Sequence, residues 1–406
     1  MWDENKTMKC LVWNGKHNIE YTEHPRPKLT EPKDILLRVT ATTICGSDLH
    51  LLKDTFPGMK KGDIPGHEFM GVVEEKGEGV HKLNIGDRVI VSFAIACGEC
   101  SYCKREEFTA CETTNPSTAM EAVYGHKCAA FYGYSHLTGG VPGGQAEFVR
   151  VPFADFNCMI VPDDIPDEKA LYMTDIMVTG LHGNKCAEVG EGKTVAIWGM
   201  GPIGLMAAKW ATILGAKMVI GIDCVPERLE LAKDRLHIET INFKEEDVLK
   251  RLPELLGANE LDCAIECAGF DYTHSWLHKI ETFVGLETDT SEIITQIFKA
   301  VRKYGNVGLI GDYVGLANHF PIGAMMEKNL TIKSGQTPGL RYWDFCLEKM
   351  RSGEMDPTFL VTHRGSLADG PTFYKAMCDQ KGGLIKVFMR PENFDQNAEK
   401  PVLLDA

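Results

Sequence analysis

Over the first 160 or so residues the apolar positions come in short runs cut by turn residues. Residues 8–13, 34–39, 71–75 and 87–91 are four such runs, with Gly, Pro and Asp between them. Runs of this length with this punctuation predict strands of an irregular all-β barrel. Near Asp167 the pattern changes. Apolar runs at 194–198, 218–223, 261–266, 306–310 and 330–334 alternate with helical stretches such as 204–214 and 226–235. Strand and helix in alternation predict a parallel sheet with helices on both faces. After about Gly339 the chain becomes helix-rich, then returns to strand at 384–389. The fold class is therefore α/β: a barrel over 1–169, a doubly wound sheet over 170–338, and a segment 339–406 that returns to the first domain.

The run 194–198 leads directly into Gly199-Met200-Gly201-Pro202-Ile203-Gly204 and then a helix. A G-x-G-x-x-G turn between strand and helix predicts a dinucleotide site. Gly199 permits the tight turn, Gly201 lets the backbone approach a pyrophosphate, and Gly204 lets the helix pack close to the sheet. Pro202 and Ile203 open the helix whose free N–H groups would hold the phosphates. Asp223 ends the following strand, nineteen residues after Gly204. A carboxylate there accepts hydrogen bonds from a ribose 2′-hydroxyl and repels a 2′-phosphate. NAD is thus expected over NADP, with the nearby Arg228 the one feature pulling the other way.

Composition then narrows the chemistry. Among 406 residues there are 14 cysteines, and four of them form the run Cys97, Cys100, Cys103, Cys111. This spacing suits either a disulfide framework or a tetrahedral zinc cage with bonds of about 2.3 Å. Residues 1–6 have neither the basic start nor the apolar stretch of a signal peptide, so the expected location is cytoplasmic, with thiols reduced. Zinc is the better reading. A closed cage of four thiolates can only be structural, and it would lend metal-coupled folding energy to a lobe, 95–113, that looks poor in apolar residues. A net charge of −14 argues against nucleic-acid partners, because phosphate binding needs Lys and Arg. No apolar run reaches the roughly 18 residues of a membrane span.

A second metal site is suggested by Cys45-Gly46-Ser47-Asp48-Leu49-His50 and, further on, Gly66-His67-Glu68. One thiol and one imidazole suit zinc, although a buried cysteine and a core histidine would read the same way. Their order before the four cysteines and the glycine turn resembles the zinc-dependent medium-chain alcohol dehydrogenases over nearly the whole chain. More narrowly, residues 133–140, 143–147, 320–324 and 334–337 resemble the glutathione-independent formaldehyde dehydrogenase branch. That branch's long insertion after the stretch matching Gly311-Asp312-Tyr313 is missing here, which places the chain with a shorter subgroup. The segment 277–290 also looks typical of that subgroup.

The resemblance implies a GroES-like catalytic domain over 1–169, a Rossmann cofactor domain over 170–338, and two zinc ions per chain. Cys45 and His67 would hold the catalytic zinc, with Asp175 as third ligand; spacing alone does not choose Asp175 over Asp167 or Glu168. Glu68 would lie behind the metal and bind it when substrate leaves, and Asp48 would hold His67 in place. Ser47 and His50 would carry a proton from the substrate hydroxyl, by way of the nicotinamide ribose, to the surface. Thr179 would pack against the nicotinamide, and Phe93 is either a pocket wall or a core residue. The implied activity is hydride transfer to NAD from a small alcohol or hydrated aldehyde, by a homotetramer or homodimer. A secondary-alcohol or polyol dehydrogenase on the same scaffold is the alternative, and a catalytically silent nucleotide-binding protein is a more distant one.

Overall fold

The computed structural model describes residues 1–54, 58–269, 289–313 and 315–391. Its contacts divide the chain into two units: Met1–Val178 together with the chain from Pro338 onward, and Thr179–Thr337. The first boundary thus falls nine residues beyond the change of pattern at 169.

In the first unit a seven-stranded sheet runs in the order Val361–Ser366, Lys386–Arg390, Ile35–Thr42, Phe69–Lys76, Arg88–Val91, Cys158–Ile160, and Phe148–Val151 also pairs with Ile35–Thr42. Only the pair Val361–Ser366 and Lys386–Arg390 is parallel; the other ladders are antiparallel. Ile35, Leu37 and Val39 alternate onto one face and meet Phe69, Val73, Val89 and Val149 in a closed core. The period of two that marks the strand is what puts these side chains together. A hairpin, Trp2–Gly15 with Asn18–Pro27, lies apart from this sheet. Its Leu11 and Trp13 pack with Phe373, Tyr374, Val387 and Met389 from the end of the chain. Short helices interrupt the predicted barrel, among them Gly46–Leu52.

The second unit is a six-stranded parallel sheet in the order Glu239–Asn242, Met218–Asp223, Thr194–Trp198, Cys263–Glu266, Asn306–Leu309, Thr331–Ser334. Numbered along the chain this order is 3-2-1-4-5-6, the doubly wound dinucleotide-binding arrangement. Strand Glu239–Asn242 was not predicted. Every residue of Thr194–Trp198 is buried, as expected for a central strand covered on both faces. Pro202 begins helix Pro202–Ile213, where a missing N–H costs nothing. Among the described residues no helix is long and apolar enough to cross a membrane.

Candidate functional site

Three separated stretches of the first unit bring one metal donor each to a common point. Cys45 immediately precedes helix Gly46–Leu52, and its amide donates to Asp48 Oδ2 at 2.9 Å, which fixes the entry to the helix. His67 stands just before strand Phe69–Lys76, and Asp175 just before helix Ile176–Cys186. His67 Nε2 lies 3.2 Å from Asp175 Oδ2, and Cys45 Sγ lies 3.9 Å from the same oxygen. With Glu68 these groups offer ligand atoms all within 4.8 Å of one another. His67, Glu68 and Asp175 are buried, and Cys45 is half-buried. The two other acids that spacing allowed are engaged elsewhere: Asp167 pairs with Arg88 at 2.7 Å, and Glu168 with Arg364.

A buried chain of polar groups backs His67. Asp48 Oδ1 faces His67 Nδ1 at 3.4 Å. Gln145 Nε2 reaches Asp48 Oδ2 at 3.3 Å and Thr43 O at 3.0 Å, and Tyr374 O–H donates to Gln145 Oε1 at 2.9 Å. Burial opposes a charged imidazole here, but Asp48, Tyr134 and Asp175 outweigh it and hold the His67 pKa well above the ordinary histidine value. Burial also pushes the Cys45 thiol up, against the pull of His67. A thiol, an imidazole and a carboxylate, with Glu68 Oε2 buried and lacking any protein partner, make a donor set that fits zinc. Rings crowd one side of it: Tyr134 and Phe93 meet His67 edge-on at 5.1 Å and 6.4 Å. Phe93 also stacks on Phe131 at 5.5 Å and is buried, so it is both a core residue and a neighbour of the site.

Ser47 and His50 are three residues apart on helix Gly46–Leu52 and so share a face. Both are half-buried, so His50 is less exposed than a surface terminus of a relay would be. The sequence reading missed Gln145 and Tyr374 as supports of Asp48, and it missed Lys386, whose Nζ pairs with Glu68 Oε1 at 2.5 Å. A lysine inside the apolar run 384–389 was the available signal.

The four cysteines of the lobe also converge. Cys97 and Cys103 sulfurs are 3.9 Å apart, and those of Cys100 and Cys111 are 4.0 Å apart. A tetrahedron with bonds of about 2.3 Å has edges of about 3.8 Å. All 14 cysteines are free. Burial works against a charged Cys97, yet hydrogen bonds involving Thr113 and the amides of Glu99 and Cys100 outweigh it and bring this thiol down to about 6. The expectation of a lobe poor in apolar residues is wrong. Phe93, Ala96, Phe108, Ala129 and Phe131 form a cluster around the cysteines, and Phe108 stacks edge-on with Phe156 at 5.5 Å. Several of these residues lie outside 95–113 in sequence, which is why a local reading overlooked them.

In the second unit Gly199 takes φ +89°, and a Cβ there would stand 2.9 Å from Ala268 N. Asp223 is buried and fully engaged. Its Oδ2 accepts from Met200 N at 2.6 Å, and its Oδ1 from the amides of Cys224 and Val225 at 2.6 Å and 3.0 Å. Arg228 Nη1 is 3.4 Å from Asp223 Oδ2. Beside the turn lies a cavity of about 430 Å³ lined by Trp198, Gly199, Asp223, Phe243, Val248 and Ala268, within the usual size of a ligand site. Glu266 ends the neighbouring strand Cys263–Glu266 and accepts from the amides of Ala268 and Gly269 at 2.7 Å. Burial still raises its pKa to about 7, against those hydrogen bonds. Thr179 is half-buried in helix Ile176–Cys186. Apart from Asp289 and Thr290, the segment 277–290 lies outside the described residues, as does Val314.

Comparison with known proteins decides the family. Residues 31–163 match the alcohol dehydrogenase GroES-like domain, and residues 202–281 match the zinc-binding dehydrogenase domain. A zinc-type alcohol dehydrogenase-like protein of Schizosaccharomyces pombe is 50% identical over 94% of this chain and 90% of its own length. The chain belongs to the zinc-type alcohol dehydrogenase family. It is a zinc-dependent alcohol dehydrogenase-like oxidoreductase with a GroES-like domain and a Rossmann domain. Within the family it is 36% identical to the glutathione-independent formaldehyde dehydrogenase of Pseudomonas aeruginosa, over 82% of this chain and 85% of that one. Among solved structures it is similar to the alcohol dehydrogenase TADH from Thermus sp. ATN1, with a TM-score of 0.81 and 31% identity over 95% of this chain and 100% of that one.

Proposed function

We propose that this member of the family is an NAD-dependent dehydrogenase that oxidises formaldehyde or another small alcohol or hydrated aldehyde without glutathione. The observation that carries the reading is the convergence of Cys45, His67 and Asp175, a three-donor set of one thiolate, one imidazole and one carboxylate. Three protein ligands leave a fourth tetrahedral position for substrate. The likeness to the formaldehyde dehydrogenase of Pseudomonas aeruginosa and the rings of Phe93 and Tyr134 beside His67 support a small substrate.

Bound at this site, zinc supplies Lewis acidity toward a substrate oxygen, and the nicotinamide cofactor supplies the hydride acceptor. The protein's part is to hold and to move protons. Cys45, His67 and Asp175 hold the ion. Asp48 faces His67 Nδ1, and a proton kept on that nitrogen would leave the Nε2 lone pair free to bind the metal. Ser47 would accept the proton of the substrate hydroxyl while releasing its own, and His50, on the same helix face, would pass that proton outward. Cys97, Cys100, Cys103 and Cys111 hold a structural zinc. Gly199, Gly201, Pro202, Ile203 and Gly204 would hold the cofactor's pyrophosphate, and Thr179 would line the place of its nicotinamide. Asp223 favours NAD over NADP because a 2′-phosphate would approach a buried carboxylate, and Arg228 only partly offsets this.

We take the assembly to be a homodimer or homotetramer, supported by the exposed Leu316, Ile322 and Met326 of the cofactor unit; a native mass measurement checks it. A substrate panel run with NAD and without glutathione tests the activity. Turnover of formaldehyde or short alcohols is expected. Turnover of polyols with none on formaldehyde would overturn the substrate assignment.

A further inference from the structure

Lys386 is among the largest fully buried side chains of the protein. An ammonium enclosed in this way needs partners that justify its charge, since an apolar side chain of similar length would fill the space. It has two. Nζ pairs with Glu68 Oε1 at 2.5 Å and donates to Ile44 O at 3.1 Å. The Tyr172 ring closes another side, 6.0 Å away. The strand carrying Lys386 is itself fastened, because Val387 O accepts from Thr43 Oγ1 at 2.6 Å and from Tyr172 O–H at 3.0 Å. The lysine is therefore a fixed charge.

Glu68 is held by one oxygen only. Its Oε2 is buried with no hydrogen-bond partner, and the residue already belongs to the group whose donor atoms lie within 4.8 Å of one another. A carboxylate in that place can reach a metal held by Cys45, His67 and Asp175. Four protein ligands would complete a tetrahedral ion and leave no position for a substrate oxygen. Two charge balances exist side by side. A divalent ion with one thiolate and the Asp175 carboxylate sums to zero, and the Glu68 carboxylate with the Lys386 ammonium does so separately. Without the lysine, Glu68 would be a lone buried anion beside a cation, and turning onto the ion would be its nearest relief.

We propose that Lys386 is a positioning residue that holds Glu68 back from the metal and so keeps the fourth coordination position available to substrate. The inference rests on the catalytic-site reading above and assigns it a further residue. The test uses the full chain with cobalt at the Cys45–His67–Asp175 site and zinc left in the four-cysteine site. Visible absorption is recorded without substrate, and the affinity for azide is measured at the open position. Lys386→Met is expected to change the cobalt spectrum in the absence of any ligand and to weaken azide binding roughly 10- to 100-fold. Lys386→Arg should restore both. Glu68→Gln combined with Lys386→Met should return the spectrum to the unaltered form, because the competing carboxylate is gone.

A wild-type spectrum and azide affinity in folded Lys386→Met would overturn the proposal. So would a double variant that keeps the altered spectrum. Should Lys386→Met fail to fold, Lys386→Gln keeps a donor to Ile44 O without the charge and is read in the same way. Uptake of only one metal by the unaltered chain would overturn the catalytic-site reading itself. Two metals with no turnover on small alcohols or aldehydes would overturn the substrate assignment alone and leave this test standing.

Discussion

Gly201 and Gly204 sit three residues apart in the same turn, yet alanine should damage them in different ways. At Gly204 an added Cβ would lie 1.8 Å from Gly199 O, where ordinary contact begins near 3.4 Å. Helix or turn must then move by about 1.6 Å, the difference between those two distances. Overpacking of this kind costs about 1–3 kcal/mol, which for a unit of this size lowers the melting temperature by roughly 2–4 °C per kcal/mol. At Gly201 the nearest atom is Arg228 Nη1 at 4.0 Å, and φ is −64°, which alanine adopts freely. Gly201→Ala should therefore leave stability within about 0.5 kcal/mol of the parent. What it should lose is cofactor. If the pyrophosphate passes over this backbone, a methyl group there costs about 1–3 kcal/mol of binding, or roughly a 5- to 150-fold weaker Kd. Calorimetric titration with NADH and a thermal scan of both variants separate the two effects. Unchanged NADH affinity in Gly201→Ala would refute the placement of the phosphates, and an unchanged melting temperature in Gly204→Ala would refute the packing argument.

Further expectations follow from the two metal clusters and from Glu266. Asp175→Ala should lose one zinc per chain and the activity with it while keeping the other zinc, as read by metal analysis; full turnover would contradict the ligand assignment. Cys111→Ser should lose the structural zinc and melt earlier, with the catalytic donors intact; an unchanged metal content would exclude the cage. The raised His67 pKa means that a proton must leave before the imidazole can bind metal. The sign follows: affinity at the catalytic site falls as pH drops below the raised His67 value, and a chelator competition that proved flat across that range would oppose it. The Glu266 carboxyl should titrate near pH 7 by carbon NMR. The folded protein then binds more protons than the unfolded chain between about pH 4.5 and 7, so this group's contribution lowers stability as pH rises through that window. A midpoint near 4.5 would contradict the burial argument.

Much of the cofactor unit could be read from sequence because its inner strands, such as Thr194–Trp198 and Cys263–Glu266, are buried on both faces and appear as continuous apolar runs. Strand Thr194–Trp198 and the glycines after it are the clearest case. Strand Glu239–Asn242 escaped because only Ile241 of its four residues is fully buried, which leaves no run and no alternation. Strand Val361–Ser366 was hidden for a similar reason: its His, Arg and Ser residues interrupt the apolar pattern. At the metal site Cys45, His67 and the four cysteines carry their chemistry in residue type. Asp175 did not, because Asp167 and Glu168 had equal claims until their pairing with Arg88 and Arg364 became visible. Gln145, Tyr374 and Lys386 act through contacts made 97 to 318 residues away in the chain. No local pattern encodes such distances.

The way the first unit is assembled bears on how the protein is made. The cofactor unit is one continuous stretch, Thr179–Thr337, whereas the other unit is built from both ends of the chain. On the ribosome the Rossmann sheet and the four-cysteine lobe can each be completed from residues already synthesised, since domains fold as units during synthesis. The strand Lys386–Arg390 emerges last, and it inserts between Val361–Ser366 and Ile35–Thr42. Until then the Thr42 end of Ile35–Thr42 waits with one edge open, although Phe148–Val151 already pairs with Ile35 to Arg38, and Glu68 has no counter-charge. Joining residues more than 340 positions apart also carries the largest loop-closure entropy of the fold. The nascent chain can thus acquire a cofactor-binding module and a structural metal well before the catalytic pocket exists.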